Sequence, residues 1–137
     1  MTTVGVKQGC VLSPIIFNLF INDLPDHFDN HCDPVIINDQ RIQALMFADD
    51  VMILSQSAEG LKRAIKITVD YFCDLNLSVN FEKSQVMIFN SRGVLLDKDP
   101  DHQFNAHGQV LRVVAEYTYL GVKLTPSCAG SNPRRTW

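Results

Sequence analysis

A chain of 137 residues has the length of one ordinary domain and can bury one modest core. Apolar residues make up 46% and charged residues 20%, which excludes a disordered tail or a collagen-like repeat. The formal net charge of −3 hides an asymmetry: residues 1–60 carry two basic and eight acidic groups, residues 61–137 ten basic and seven acidic. That balance argues against a freestanding nucleic-acid binder, while an acidic half also suits carboxylates gathered for divalent cations.

The first ten residues show no charged-then-apolar pattern, so no secretory signal is expected. The longest apolar-rich stretch, Val11 to Leu24, is broken by Pro14, Asn18 and Asn22 and is too short to cross a bilayer. Cys10, Cys32, Cys73 and Cys128 lie far apart without paired spacing, as expected of free thiols inside a cell, cytoplasmic or nuclear.

Gly5 to Cys10 reads as a glycine-bounded loop. Ser13-Pro14 then starts a helix over 14–24, with a capping hydroxyl, a proline in the first turn and Pro25 as the stop. Ile16, Phe20 and Leu24 share one face, and so apolar a helix is expected to be buried on most sides. An acidic, turn-rich loop over 25–34 follows. Val35-Ile36-Ile37 reads as a strand, Asn38-Asp39 as a turn, and Arg41 to Ala48 as a second strand. Asp49-Asp50 and the apolar run Val51 to Leu54 come next. Two apolar runs separated by two turn-forming residues predict a tight hairpin with both carboxylates at its tip. The aspartates are expected to take the left-handed backbone of that turn.

Ser57 caps a helix over 58–76, with Leu61, Ile65, Val69 and Phe72 as its apolar stripe. Lys62, Arg63, Lys66, Asp70 and Asp74 fill its outer side. Leu77 to Phe81 and Gln85 to Asn90 read as short strands around Glu82-Lys83-Ser84. Residues 91–102 are polar and aperiodic. A β section begins at Phe104, turns at His107-Gly108 and continues as strands near 109–114 and 117–124, with Gly121 inside the last. Residues 125–137 carry no periodic pattern. The expected fold class is α+β, an antiparallel sheet with both helices packed on one face.

Adjacent aspartates on a hairpin tip suit magnesium, which takes hard oxygen ligands and shares its shell with substrate phosphates. Asp-Asp is equally a common turn dipeptide, favoured for purely local reasons. Its surroundings decide between the two. Gly5-Val6-Lys7-Gln8-Gly9-Cys10-Val11-Leu12-Ser13-Pro14 with Phe17-Asn18 resembles block B of the reverse transcriptases of non-LTR retrotransposons, nearest to the long-interspersed-element type. Phe47-Ala48-Asp49-Asp50 resembles their catalytic block C, Asn80-Phe81-Glu82-Lys83-Ser84 block D, and Tyr119-Leu120-Gly121-Val122 block E. The four stand in the family's order over residues 4–124.

The resemblance implies a partial polymerase palm over residues 1–124 and a parent activity of RNA-directed DNA polymerisation. It implies Mg2+ or Mn2+ held by Asp49 and by Asp50 as a weaker ligand. Phe47 and Ala48 would lie beneath the primer's 3′ end, and Gln8 and Gly9 would line the pocket for templating base and incoming nucleotide. Lys83 would act near the departing pyrophosphate; Tyr119, Leu120 and Gly121 would hold the primer. The implied partners are an RNA template, a DNA primer and deoxynucleoside triphosphates, with no membrane. The family's block A aspartate, fingers and thumb have no counterpart here, so the isolated chain is expected to be inactive and to expose an apolar sheet edge.

Two other readings compete. A zinc or calcium module draws on His27, His31 and Cys32, on His102 and His107, or on Asp26, Asp29 and Asp33, none at the paired spacing such sites use. A non-catalytic retrotransposon remnant, or an interaction protein built on one, is the other.

Overall fold

The computed structural model describes residues 11–89 and 103–126. The loop carrying Gln8 and Gly9, the polar stretch 91–102 and the tail beyond Pro126 lie outside the described residues. The chain divides into two compact units, Met1–Ser78 and Val79–Trp137.

In the first unit, helix α1 covers Ser13–Phe20. It is shorter than the expected 14–24. Ser13 lies inside it instead of capping it, and Leu12 holds the cap position with no side-chain hydrogen bond. The helix stops because the next apolar residues turn into the core: Ile21 and Leu24 are both fully buried. A short 3-10 helix, Leu24–His27, takes over and places Pro25 in its first turn. The expected Ile16–Phe20–Leu24 stripe is therefore split. Phe17 packs against the core, whereas Ile15, Ile16, Leu19 and Phe20 stand more than half exposed and no residue of α1 is buried. This overturns the expectation that α1 is enclosed, because its outer face has no covering layer among the described residues.

A second 3-10 turn, Asn30–Cys32, leads into two hairpins. Strands β1 (Val35–Ile37) and β2 (Gln40–Ile42) pair across Asn38-Asp39, whose φ values of 50° and 62° give the double left-handed turn that matches strand twist. Strands β3 (Ala44–Phe47) and β4 (Asp50–Ile53) form the next pair. The single strand expected over 41–48 is thus broken at Gln43. Helix α2 spans Ala58–Asp74, and the Ser57 hydroxyl accepts from the Gly60 N–H at 3.0 Å as expected of a cap. Its core contact runs through Ala64 and Tyr71, flanked by Ile67 and Phe72, with Ile21, Leu24, Phe28 and Cys32 opposite. Ile65 and Val69, from the expected stripe, are also buried.

Leu77–Phe81, where the sequence passes from the first unit to the second, is not a strand. The Asn80 carbonyl accepts instead from the Lys83 and Ser84 N–H groups at 3.2 and 3.0 Å, and from the Ser84 hydroxyl at 2.8 Å. That local turn consumes the backbone groups a ladder would need. Strand β5 is only Gln85–Val86. It pairs parallel with β7 (Gln109–Val113), which pairs antiparallel with β6 (Phe104–Ala106) across the His107-Gly108 turn. Phe104 and Leu111 face each other in register and are buried with Val86 and Ala106. The strand expected over 117–124 is a hairpin, β8 (Tyr117–Tyr119) and β9 (Val122–Leu124). Gly121 (φ 82°) turns its tip with Leu120 (φ 47°) instead of sitting inside a strand.

The fold is a mixed α+β arrangement, consistent with a fragment of a reverse transcriptase domain. The one continuous antiparallel sheet that was expected is absent among the described residues, where four small sheets take its place and one pairing is parallel. Short strands ended by left-handed residues, as at Asn38, Ala48 and Leu120, account for the fragmentation.

Candidate active site

The β3–β4 hairpin carries four of the residues singled out in the sequence. Its register sets Phe47 opposite Asp50, which leaves Ala48 and Asp49 as the two loop residues. Ala48 takes the left-handed backbone (φ 52°) and Asp49 does not. The expectation that the aspartates absorb the strained conformation is therefore corrected: Ala48 absorbs it, and Asp50 begins the return strand. Alternation of apolar residues could not have revealed this. A two-residue slip keeps Met46, Val51 and Ile53 on the same face.

That inner face, Ala44, Met46, Val51 and Ile53, packs against the core of the first unit. The outer face of the ribbon is Leu45, Phe47, Asp50 and Met52, with Phe47 56% exposed. Asp49 and Asp50 are both exposed, and neither makes a hydrogen bond or ion pair among the described residues. Two exposed carboxylates on one tight turn result, with no partner among the described residues.

The hairpin is anchored at its base. The Leu54 N–H donates to the Gln43 carbonyl at 2.8 Å, extending the ladder by one residue. The Gln56 N–H donates to the Asp33 carbonyl and the Gln56 side chain to the Pro34 carbonyl, at 2.8 and 2.7 Å. The Ser55 hydroxyl donates to the Cys32 carbonyl at 2.8 Å, and Ser57 bonds the Asp33 carboxylate. Two further ties hold α2 to the aspartates that precede the two 3-10 turns. The Arg63 guanidinium grips Asp29 through Nε and Nη2 (2.8 and 2.6 Å), which holds the Asp29 carboxyl below its ordinary range. The Tyr71 hydroxyl donates to Asp23 at 2.5 Å, lowering that carboxyl as well. Burial, together with the Asp23 charge, pushes the Tyr71 phenol up to about 12. Asp29 and Arg63 lie 34 positions apart, and nothing in the sequence pattern joins them.

Lys83 lies in the Asn80–Ser84 turn of the second unit, with its side chain exposed. Tyr119, Leu120 and Gly121 form the end of β8 and the β8–β9 turn of the same unit, braced by an ion pair between Lys123 and Glu116 at 2.9 Å. The structure thus gathers Phe47, Ala48, Asp49 and Asp50 on one hairpin of the first unit. It sets Lys83 and the Tyr119–Gly121 turn on separate loops of the second.

Among the described residues no three His, Cys, Asp or Glu side chains cluster so as to enclose a metal ion. Asp29, one candidate for a cation loop, is occupied by Arg63 and by the His31 N–H. Asp49 and Asp50 nevertheless fit an open site, since magnesium is commonly held by one or two carboxylates and completed by water and substrate phosphates. No helix of the described residues is long and apolar enough to cross a membrane.

Comparison of the whole chain with known proteins gives its family. The chain belongs to the family described as reverse transcriptase (RNA-dependent DNA polymerase), whose sequence profile matches residues 1–124. Curated relatives are retrotransposon polymerases of the non-LTR kind. The chain is 28% identical over 127 residues to the RNA-directed DNA polymerase from mobile element jockey of Drosophila melanogaster. It is 27% identical over 129 residues to the Pol polyprotein of retrotransposable element R2DM from the same fly. Both alignments cover 88% of this chain but only 13% and 12% of those relatives. A third, the Pol polyprotein of a type-1 element R2 from Popillia japonica, is 31% identical over 98 residues, covering 69% of this chain and 14% of the relative. No solved structure matches the chain. The family uses divalent metal ions and handles a nucleic-acid template and primer with deoxynucleoside triphosphates.

Proposed function

We propose that this chain is the palm portion of a non-LTR retrotransposon's RNA-directed DNA polymerase, with the β3–β4 hairpin as its metal-binding element. The observation that supports it is the exposed Asp49-Asp50 pair, without a side-chain partner among the described residues, on a core-anchored hairpin. Asp49 and Asp50 would hold a divalent ion there, which would supply activation of the primer 3′-hydroxyl and neutralisation of charge on the transferred phosphate. Asp49, in the loop, is the principal ligand; Asp50, one residue along the strand, supports it from the outer face. Phe47 shares that face and offers an apolar rest for the primer terminus. Ala48 adds no bulk above the turn. In the second unit, Lys83 serves as a cation or proton donor for the leaving pyrophosphate. The Tyr119–Gly121 turn holds the primer backbone, and Gln8 and Gly9 border the nucleotide.

These residues furnish two acids where two-metal transfer uses a further bridging carboxylate. We therefore expect no primer extension from the 137 residues alone with magnesium or manganese. Manganese should still bind weakly at the hairpin, broadening the NMR signals of residues 47–52, and Asp49→Asn with Asp50→Asn should abolish this. Broadening elsewhere with 47–52 unaffected would refute the assignment. Extension activity that disappears in Asp49→Ala would refute the expected inactivity.

A further inference from the structure

The outer side of α2 is unlike the rest of the first unit. Residues 1–60 hold two basic groups, whereas Lys62, Arg63 and Lys66 fall within one turn of helix. With His31 and Glu59 they line an open concavity of about 590 Å³. Its lining carries three permanent positive charges and one negative, and Asp29, paired with Arg63, sets a second negative beside it. The core face of α2, through Ala64 and Tyr71, points the other way, toward the cluster that Met46 and Val51 join from the inner side of the hairpin. The concavity is therefore separate from the Phe47–Asp50 surface.

Three donors remain available there. Arg63 uses Nε and Nη2 on Asp29, which leaves Nη1 out of the pair and fixes the guanidinium plane with its remaining edge outward. Lys62 meets Glu59 at 2.7 Å through one of three ammonium hydrogens. Lys66 is exposed and makes no ion pair among the described residues. No Phe, Tyr or Trp side chain lines the concavity, and His31 is its one ring. The cations spread about 6 Å along the helix axis, more than one phosphate group spans.

We propose that this face is a second polynucleotide contact, binding the sugar-phosphate backbone at a distance from the catalytic hairpin. The choice of a polynucleotide rests on the proposed function; the cationic concavity does not. The chain's net charge of −3 does not oppose it, because charges beyond about 8 Å are largely screened at physiological salt. Backbone recognition of this kind is independent of sequence and steeply salt-dependent.

The test is fluorescence anisotropy of a labelled single-stranded RNA of about 16 nucleotides with the purified chain. Lys62→Gln with Lys66→Gln should weaken binding roughly tenfold at about 50 mM salt and reduce the salt slope by about 1.4, the value for two phosphate contacts. Arg112→Gln, which removes one exposed charge in the other unit, should change affinity less than twofold. An unchanged melting temperature in the double variant would exclude unfolding as the cause. Affinity within twofold of the parent, an equal loss in Arg112→Gln, or displacement of the RNA by inorganic phosphate at constant ionic strength would each overturn the proposal. Manganese binding at the hairpin is read separately. RNA binding through α2 without it would sink the catalytic reading alone, and manganese binding without RNA binding would sink only this one.

Discussion

Replacing Gly60 by alanine sets two physical effects against each other. Alanine is the better helix former, by about 0.5–1 kcal/mol in a helix interior, and on propensity alone the variant should be more stable. The structure reverses the sign. A Cβ on Gly60 would lie 2.6 Å from the Ser55 hydroxyl oxygen and 2.7 and 2.8 Å from the carbonyl oxygen and carbon of Cys32. The Ser55 hydroxyl can swing aside, but its bond to the Cys32 carbonyl is then lost, at about 1 kcal/mol. The Cys32 carbonyl is backbone, next to a side chain that is fully buried. Moving it by the required fraction of an ångström is overpacking, which costs about 1–3 kcal/mol. The balance is a net loss of about 1–3 kcal/mol, a melting-temperature drop of roughly 4–24 °C for a unit of this size. Circular dichroism melts and urea unfolding of Gly60→Ala measure it. Adding Ser55→Ala should recover little, since the Cys32 carbonyl remains in place. A melting temperature equal to or above the parent's would refute the steric argument and leave helix propensity in charge.

The Ala48→Gly variant should be more stable by about 1 kcal/mol, because glycine adopts φ near 52° without the penalty a side chain incurs; a lower urea midpoint would contradict the assigned turn. The Asp29 carboxyl is held down by Arg63, so its folded value lies below the 3.8 of the unfolded chain. Its stabilisation is therefore complete above that pH and disappears as pH falls through the lower folded value. Asp29→Asn should flatten this acid limb of the stability curve, and an unchanged limb would show that the pair carries no linkage. Ultraviolet titration should find one tyrosine ionising near pH 12 and lose that transition in Tyr71→Phe; persistence of the transition in the variant would reassign it.

How far the sequence could be read depended on the range of the interactions involved. The turns at Asn38-Asp39 and His107-Gly108 were legible because residues tolerant of left-handed backbone stood between apolar runs. Leu120-Gly121 escaped notice because leucine at a left-handed position looks like a continuing strand. The Ser57 cap was local and readable, whereas the end of α1 at Phe20 was not. It depends on Ile21 and Leu24 finding a core with residues of α2 some forty positions on. Leu77–Phe81 had the composition of a strand, but Asn80 gathered the following N–H groups into a turn. At the candidate site, the hairpin and its acids were visible as a pattern. Its register was not, because hydrophobic alternation permits a slip of two residues.

Ala48 sits where bulk is forbidden by geometry rather than by any ligand: a β-branched residue at φ 52° would strain the loop whether or not the protein ever met a nucleotide. Smallness at position 48 would thus outlive the loss of chemistry in a decaying copy, preserved by foldability alone. The neighbouring Asp49 has no such shelter, since its carboxylate makes no hydrogen bond or ion pair among the described residues. Of the two, position 49 is the one whose drift among kindred chains would chronicle the death of the enzyme.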